Sequence, residues 1–339
     1  MIGVIGGSGF IGSALVAALR QGGHELRIID RRRSETYPDL WVAADVRDRA
    51  TLTAALAGCT TLYNLAAEHR DDVQPASLYH QTNVVGAEHV CDAADAHGIE
   101  RIVFTSTAAV YGTPTGEVDE SAPLRPFNDY GRTKLEAEQV FRAWAARRSG
   151  RSLTIVRPTV VFGPDNRGNV YTLLSQVARG RAIVIGDGRN RKSMAYVENV
   201  AHVLVHALTF APGVHVFNYA DKPDLDMNEL TALARASFGS ERASSFRIPY
   251  LLGLAAGHVS DLAARLTGRP FPLSAIRVRK YRANTQFSNS RVLATGFVPR
   301  YDLRDALIRT IRYEFGRATG DIRRRAAGAA ALATDPADR

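Results

Sequence analysis

The chain opens on the short apolar run Met1-Ile2-Gly3-Val4-Ile5, breaks at a cluster of glycines, and resumes with Ser13-Ala14-Leu15-Val16-Ala17-Ala18-Leu19, which reads as a helix. Strand-like apolar runs follow at residues 25–30, 61–65, 101–105 and 153–157. Helical stretches lie between them, one from about Asn83 to His97 and another carrying Tyr130 and Lys134. Strands that alternate with helices predict a parallel sheet wrapped by helices, a Rossmann-type, doubly wound α/β fold. Ligands of such sheets sit beyond the carboxyl ends of the strands. Here those ends carry Ala66-Ala67-Glu68-His69, Thr105-Ser106-Thr107 and the stretch from Pro158 to Pro164.

The break after the first strand is Gly6-Gly7-Ser8-Gly9-Phe10-Ile11-Gly12. Glycines at 7, 9 and 12 fit the dinucleotide fingerprint, and those at 6, 9 and 12 fit its wider-spaced variant; either lets backbone approach a pyrophosphate at a helix N-terminus. The next strand ends in Asp30, about 20 residues on, where the fingerprint expects a carboxylate for a ribose. Asp30 favours NAD. Arg31, Arg32 and Arg33 could instead hold the extra phosphate of NADP, although Asp30 would repel it.

Tyr130 and Lys134 stand four residues apart and so share one helix face. A phenol ionises near pH ~10 and becomes a base at neutral pH only where a fixed positive charge favours the phenolate, which Lys134 can supply. The same spacing also suits a solvated face, and only the surrounding motifs favour catalysis.

The net charge of +9 and pI near 9.8 suit an anionic partner, either a phosphate-bearing substrate or an anionic membrane face. No nucleic-acid motif is present, and no metal site is expected. Two cysteines, Cys59 and Cys91, form no disulfide framework and point to reduced thiols in the cytosol. No apolar run reaches the ~20 residues that span a bilayer. The apolar stretch 248–266 suits either a packing helix or a surface docked at a membrane interface.

Together, the glycine loop, Ala44-Asp45-Val46, Leu65-Ala66-Ala67, Asn83-Val84-Val85-Gly86, Thr107 to Gly112, the Tyr130/Lys134 pair and Arg157-Pro158 resemble the extended short-chain dehydrogenase/reductase family of nucleotide-sugar epimerases and dehydratases. The resemblance implies NAD as cofactor, held by Gly6, Gly9, Phe10, Ile11, Gly12, Asp30, Arg31, Asp45, Val46, Leu65, Ala66, Ala67, Asn83, Thr105 and Pro158, with Tyr130 and Lys134 also in contact. Thr107 becomes the hydroxyl partner of Tyr130. Ala108 and Ala109 replace the acid pair of the 4,6-dehydratases, which disfavours dehydration. Residues 65–73, 166–171, 192–197 and 219–225 further resemble the epimerases of lipid-linked N-acetylglucosamine in surface polysaccharide (O-antigen) synthesis.

That likeness implies a sugar diphosphate substrate near Glu68, His69, Thr107, Asn166, Asn169, Arg191 and Lys192, with one further phosphate contact among Arg277, Arg279, Lys280 and Arg282. A UDP-hexose 4-epimerase and an NAD-binding regulator on the same fold stay open. The expected division is 1–165 with about 194–222 for NAD, 166–193 with 223–318 for a smaller mixed α/β substrate lobe, and a disordered tail over 319–339. The family also implies a homodimer through the helices at 83–97 and 130–147, cytoplasmic and possible as a peripheral partner of the membrane.

Overall fold

A computed structural model describes residues 1–70, 73–114, 116–238, 246–267, 278 and 284–316. Seven strands form one parallel sheet: β1 (Ile2–Ile5), β2 (Leu26–Asp30), β3 (Trp41–Ala43), β4 (Thr61–Asn64), β5 (Arg101–Thr105), β6 (Ser152–Pro158) and β7 (Gly213–Tyr219). Their spatial order is β7-β6-β5-β4-β1-β2-β3, with Val4 of β1 in register with Ile28 of β2 and Tyr63 of β4. The order reverses beside β1, so the crevice expected to take a ligand lies past the ends of β1 and β4.

Period-two alternation divides the strand residues between two cores. Ile5, Ile29, Leu62, Ile102, Phe104, Leu153 and Ile155 pack on one side with helices α2 (Arg49–Ala55), α3 (Gly86–Ala96) and α4 (Asp129–Ala146). Val4, Ile28, Tyr63, Val103, Val156, Phe217 and Tyr219 pack on the other with α1 (Phe10–Gln21) and α5 (Val197–His206). Burial on both faces explains why these strands read as continuous apolar runs. Each such side chain contributes about 1.5–3 kcal/mol. Cys59 and Cys91 are buried free thiols within the first core.

Helix boundaries follow local chemistry. Asp48 caps α2 by accepting from the amides of Ala50 and Thr51, and Asn128 caps α4 by accepting from Gly131 at 2.9 Å. Helix α3 does not begin at Asn83 as a simple α-helix: a π-helical turn over Gln81–Val85 precedes it.

The chain divides into two compact units. The larger comprises Met1–Val161, Ser193–Lys222 and Thr285–Tyr301; the smaller comprises Phe162–Lys192 with the described residues of 223–284 and 302–316. The sequence reading places 285–301 in the smaller lobe, whereas contacts put it in the larger. Three polar ties account for this: Phe287 N–H donates to Ser193 Oγ (3.0 Å), Asn289 Nδ2 to the Ala220 carbonyl (2.8 Å), and Tyr301 N–H to Asn199 Oδ1 (3.1 Å). No break in composition announces them. Within the smaller unit the helix Asn169–Ala178 packs on Met227–Phe238, strands Ile183–Ile185 and Phe246–Ile248 pair in parallel, and a helix spans Tyr250–Thr267. The tail from 317, and with it the disorder expected over 319–339, lies outside the described residues.

Candidate active site

The glycine loop is fixed by close approach of backbone. Gly6 has φ +77°, and a Cβ there would lie 2.6 Å from the amide nitrogen of Ala66. A Cβ at Gly12 would lie 2.3 Å from the Gly6 carbonyl. Gly9 meets only that carbonyl, at 3.2 Å, and is the N-cap of α1 with no side chain bonded to its amides and no acid in the first turn. The N–H groups of Phe10 and Ile11 therefore open the helix as a cradle for an anion. Asp30 braces this loop: its carboxylate accepts from Ser8 N–H at 3.1 Å and Arg32 N–H at 2.9 Å. Arg31 is exposed beside it. These residues fit a dinucleotide pyrophosphate and ribose.

Along the crevice, Leu65 and Ala66 pack into opposite cores, and Ala67 follows half-buried. Val46 lies against Gly86, where a Cβ would come within 2.9 Å, and its carbonyl meets His89 Nδ1 at 2.8 Å. The Asp45 carboxyl sits below its ordinary pKa because Arg47 bonds it, at 2.6 Å in the shortest contact. Asn83 lies at the same crevice with its amide fixed: Oδ1 accepts from Glu68 N–H (2.9 Å), and Nδ2 donates to the Glu68 carbonyl (3.1 Å) and Thr133 Oγ1 (3.0 Å). It pins the β4 exit to α4.

Tyr130 and Lys134 lie one turn apart on α4, and Thr107 meets the Tyr130 phenol. Thr107 begins a short turn, Ala108–Tyr111, its Oγ1 accepting from Ala109 N–H at 3.1 Å and sharing a hydrogen bond with the Tyr130 phenol. Gly131 lets α4 close on this turn, since a Cβ there would lie 2.8 Å from the Ala109 carbonyl. The Lys134 ammonium is buried, donating to the Thr105 carbonyl at 2.6 Å and lying 4.1 Å above the Phe104 ring. Burial lowers Lys134 to about 7, against a smaller upward pull from Glu138. Burial also raises Tyr130, and the Thr107 bond only partly counters it. Desolvation is thus the largest influence on both groups.

Behind the pair lies a network that the sequence reading overlooks. Glu138, one turn beyond Lys134, binds Arg157 through two contacts, Nε–Oε1 at 2.9 Å and Nη2–Oε2 at 2.6 Å, both side chains almost fully buried. Ser106 donates to Glu138 at 2.5 Å, and Arg157 reaches the Tyr111 hydroxyl at 2.7 Å, which donates to Asn218 Oδ1 at 2.8 Å. The signal was an acid four residues after the lysine and an arginine inside an apolar strand. Pro158 follows Arg157 and ends β6.

The remaining candidates divide. Glu68 is half-buried; its carboxyl is lowered because bonding and charge from Arg70 outweigh burial. His69 is exposed. In the smaller unit, Asn166 Oδ1 accepts from Gly168 N–H at 2.9 Å, a turn role, and Asn169 opens a helix at the surface. Arg191 Nη1 bonds the Asp224 carbonyl, with Glu229 3.7 Å from Nη2, while burial brings Lys192 down to about 8. Arg277, Arg279, Lys280 and Arg282 lie outside the described residues.

The NAD dependent epimerase/dehydratase family model matches residues 2–220, and the chain belongs to that family. It is 44% identical over 320 residues to the N-acetyl-alpha-D-glucosaminyl-diphospho-ditrans,octacis-undecaprenol 4-epimerase of Escherichia coli O157:H7, covering 94% of this chain and 96% of the relative. A 2-alkyl-3-oxoalkanoate reductase of Stenotrophomonas maltophilia is 31% identical, covering 90% and 97%. Among solved structures, MoeE5 in complex with UDP-glucose and NAD aligns with TM-score 0.73 at 25% identity, covering 94% of this chain and 99% of that one.

Proposed function

We propose that this protein interconverts N-acetylglucosamine and N-acetylgalactosamine on undecaprenyl diphosphate, as a homodimer at the cytoplasmic face of the membrane. The observation that carries the reading is the 44% identity to the lipid-linked epimerase along nearly the whole of both chains.

The residues supply the following chemistry. Tyr130 phenolate removes the proton of the sugar 4-hydroxyl, with Thr107 hydrogen-bonded to the same phenol and placed to pass that proton on. NAD, when bound in the glycine cradle, supplies a reversible hydride acceptor for C4. The 4-keto sugar then turns its opposite face before reduction, and Tyr130 returns the proton. Because burial raises the phenol, the positive charge of Lys134 must be present for the phenolate to form; Thr105, through its carbonyl, keeps that ammonium in place. Ala108 and Ala109, whose methyl groups exchange no proton, leave the 6-hydroxyl in place. Asp30 in the ribose position favours NAD over NADP. In the smaller unit Lys192 and Arg191 are the cations for the diphosphate.

The UDP-glucose complex of MoeE5 favours a second reading, a UDP-hexose 4-epimerase with the same core. Incubation with GlcNAc-diphospho-undecaprenol and, separately, UDP-GlcNAc tests both: release of both hexosamines from the lipid alone supports the proposal, and conversion of UDP-GlcNAc alone overturns it.

A further inference from the structure

Consecutive residues at the end of β5 are each held by a different turn of α4. The Thr105 carbonyl accepts from Lys134 at 2.6 Å, the Ser106 hydroxyl donates to Glu138 Oε1 at 2.5 Å, and Thr107 Oγ1 bonds the Tyr130 phenol. Residues 130, 134 and 138 stand four apart and share one helix face, so the helix grips this segment residue by residue. The bonds of Thr105 and Thr107 belong to the proposed reaction, and the Ser106 bond does not.

The Ser106 bond is one end of a clasp. Glu138 is tied to Arg157 through Nε–Oε1 (2.9 Å) and Nη2–Oε2 (2.6 Å), and the remaining Arg157 nitrogen, Nη1, donates to the Tyr111 hydroxyl at 2.7 Å. Ser106 and Tyr111 therefore bracket Thr107 together with the turn that it begins, Ala108–Tyr111. The backbone is fixed at the same ends: Ser106 N–H donates to the carbonyl of Val156, the neighbour of Arg157, at 2.7 Å, and Gly112 N–H to the Ala109 carbonyl at 3.1 Å. Tyr111 lies with its ring 5.6 Å from that of Phe287 and donates its hydroxyl proton to Asn218 Oδ1 at 2.8 Å. Ser106 and Tyr111 are buried, whereas Thr107 between them is half-buried.

Stability alone does not call for a charged pair here. Removing two charges from water offsets most of what their attraction contributes, and apolar side chains of similar volume often serve as well. Apolar side chains lack direction, however, while charge-assisted hydrogen bonds are short and aimed. One such bond reaches each end of the segment that carries Thr107. We propose that Ser106 and Tyr111 are positioning residues, held by Glu138 and Arg157 so that the Thr107 hydroxyl stays on the Tyr130 phenol. The proposal rests on the part given to Thr107 in the epimerase reading.

The test is a double-mutant cycle on the full-length protein, with kcat and KM measured on whichever of GlcNAc-diphospho-undecaprenol and UDP-GlcNAc the wild type converts, and with crystal structures of the variants bound to NAD. Ser106→Ala is a mild change, because Glu138 Oε1 keeps its bond from Arg157 Nε. It should lower kcat about tenfold and leave KM within about twofold, as expected where the reacting geometry is loosened and substrate binding is not. Thr107→Ala should lower kcat about a hundredfold, and adding Ser106→Ala to it should cost less than about a further twofold. Tyr111→Phe should repeat the pattern from the other end, at about fivefold; it is read in place of Ser106→Ala if circular dichroism finds that variant disturbed. In both structures Thr107 Oγ1 should lie beyond ~3.5 Å from the phenol. The structures need no substrate, so they decide the positioning even if neither sugar is converted. Full additivity of Ser106→Ala and Thr107→Ala overturns the proposal, as does Thr107 in place with kcat unchanged in both Ser106→Ala and Tyr111→Phe. Rate lost with Thr107 unmoved overturns it and leaves the Thr107 reading standing, whereas Thr107 displaced with rate unchanged keeps the clasp and sinks that reading.

Discussion

The catalytic face of the larger unit and the candidate substrate residues of the smaller one are built on different principles. Around Tyr130 nearly every choice is forced: Gly12 and Gly131 by close backbone, Lys134 by the Thr105 carbonyl, Glu138 by Arg157. Asn166 and Asn169 occupy a turn and an exposed helix start that other polar residues could fill. The residues around Tyr130 are thus set by burial and geometry, whereas these candidate substrate residues are surface side chains that bear little packing constraint. Substitutions in the two regions should therefore differ in kind.

Lys134→Met should have the largest effect on rate, lowering turnover by roughly 10²–10³ through loss of the charge that supports the phenolate. Stability should move the other way. Lys134 titrates near 7 when folded against an ordinary 10.5, so between those values the unfolded chain holds a proton that the folded chain does not, and stability rises with pH across that window. Methionine removes the slope; thermal melts from pH 7 upward should show Tm unchanged or higher.

Glu138→Gln should act chiefly on stability, because it leaves the buried Arg157 guanidinium uncompensated, at a cost of about 3–5 kcal/mol. Combining it with Arg157→Met should restore most of the loss in urea titration. A double variant no more stable than the single would refute the pairing account.

Asn169→Ala, in the smaller unit, should change kcat/KM by less than about twofold and stability by less than about 0.5 kcal/mol. A tenfold rise in KM with unchanged melting would break the comparison and make Asn169 a true substrate contact.

The same contrast explains what the sequence made legible. The glycine cradle, Asp30 and the Tyr130/Lys134 pair are readable because each demands a residue type at a fixed spacing, and Thr107 is readable through the family resemblance alone. The seven-stranded sheet is readable for a similar reason, its strands being buried on both faces. The bonds that fix the Asn83 amide to Glu68 and Thr133 were not legible, because a polar residue near a ligand crevice looks the same in sequence whatever its amide is bonded to. The Glu138–Arg157 pair escaped notice because an acid on a helix and an arginine in a strand normally signify solvent, and only tertiary packing brings them together. Residues 285–301 join the larger unit through side-chain bonds to distant backbone, for which no local pattern exists.

The most direct test of the account is to supply GlcNAc-diphospho-undecaprenol deuterated at C4 and determine by mass spectrometry where the label lies in the GalNAc product. Removal of C4 hydrogen as hydride and its return from the same bound cofactor predict deuterium retained at C4. Its replacement by hydrogen from water would mean that C4 loses a proton instead, and would contradict the role given to the Tyr130 site.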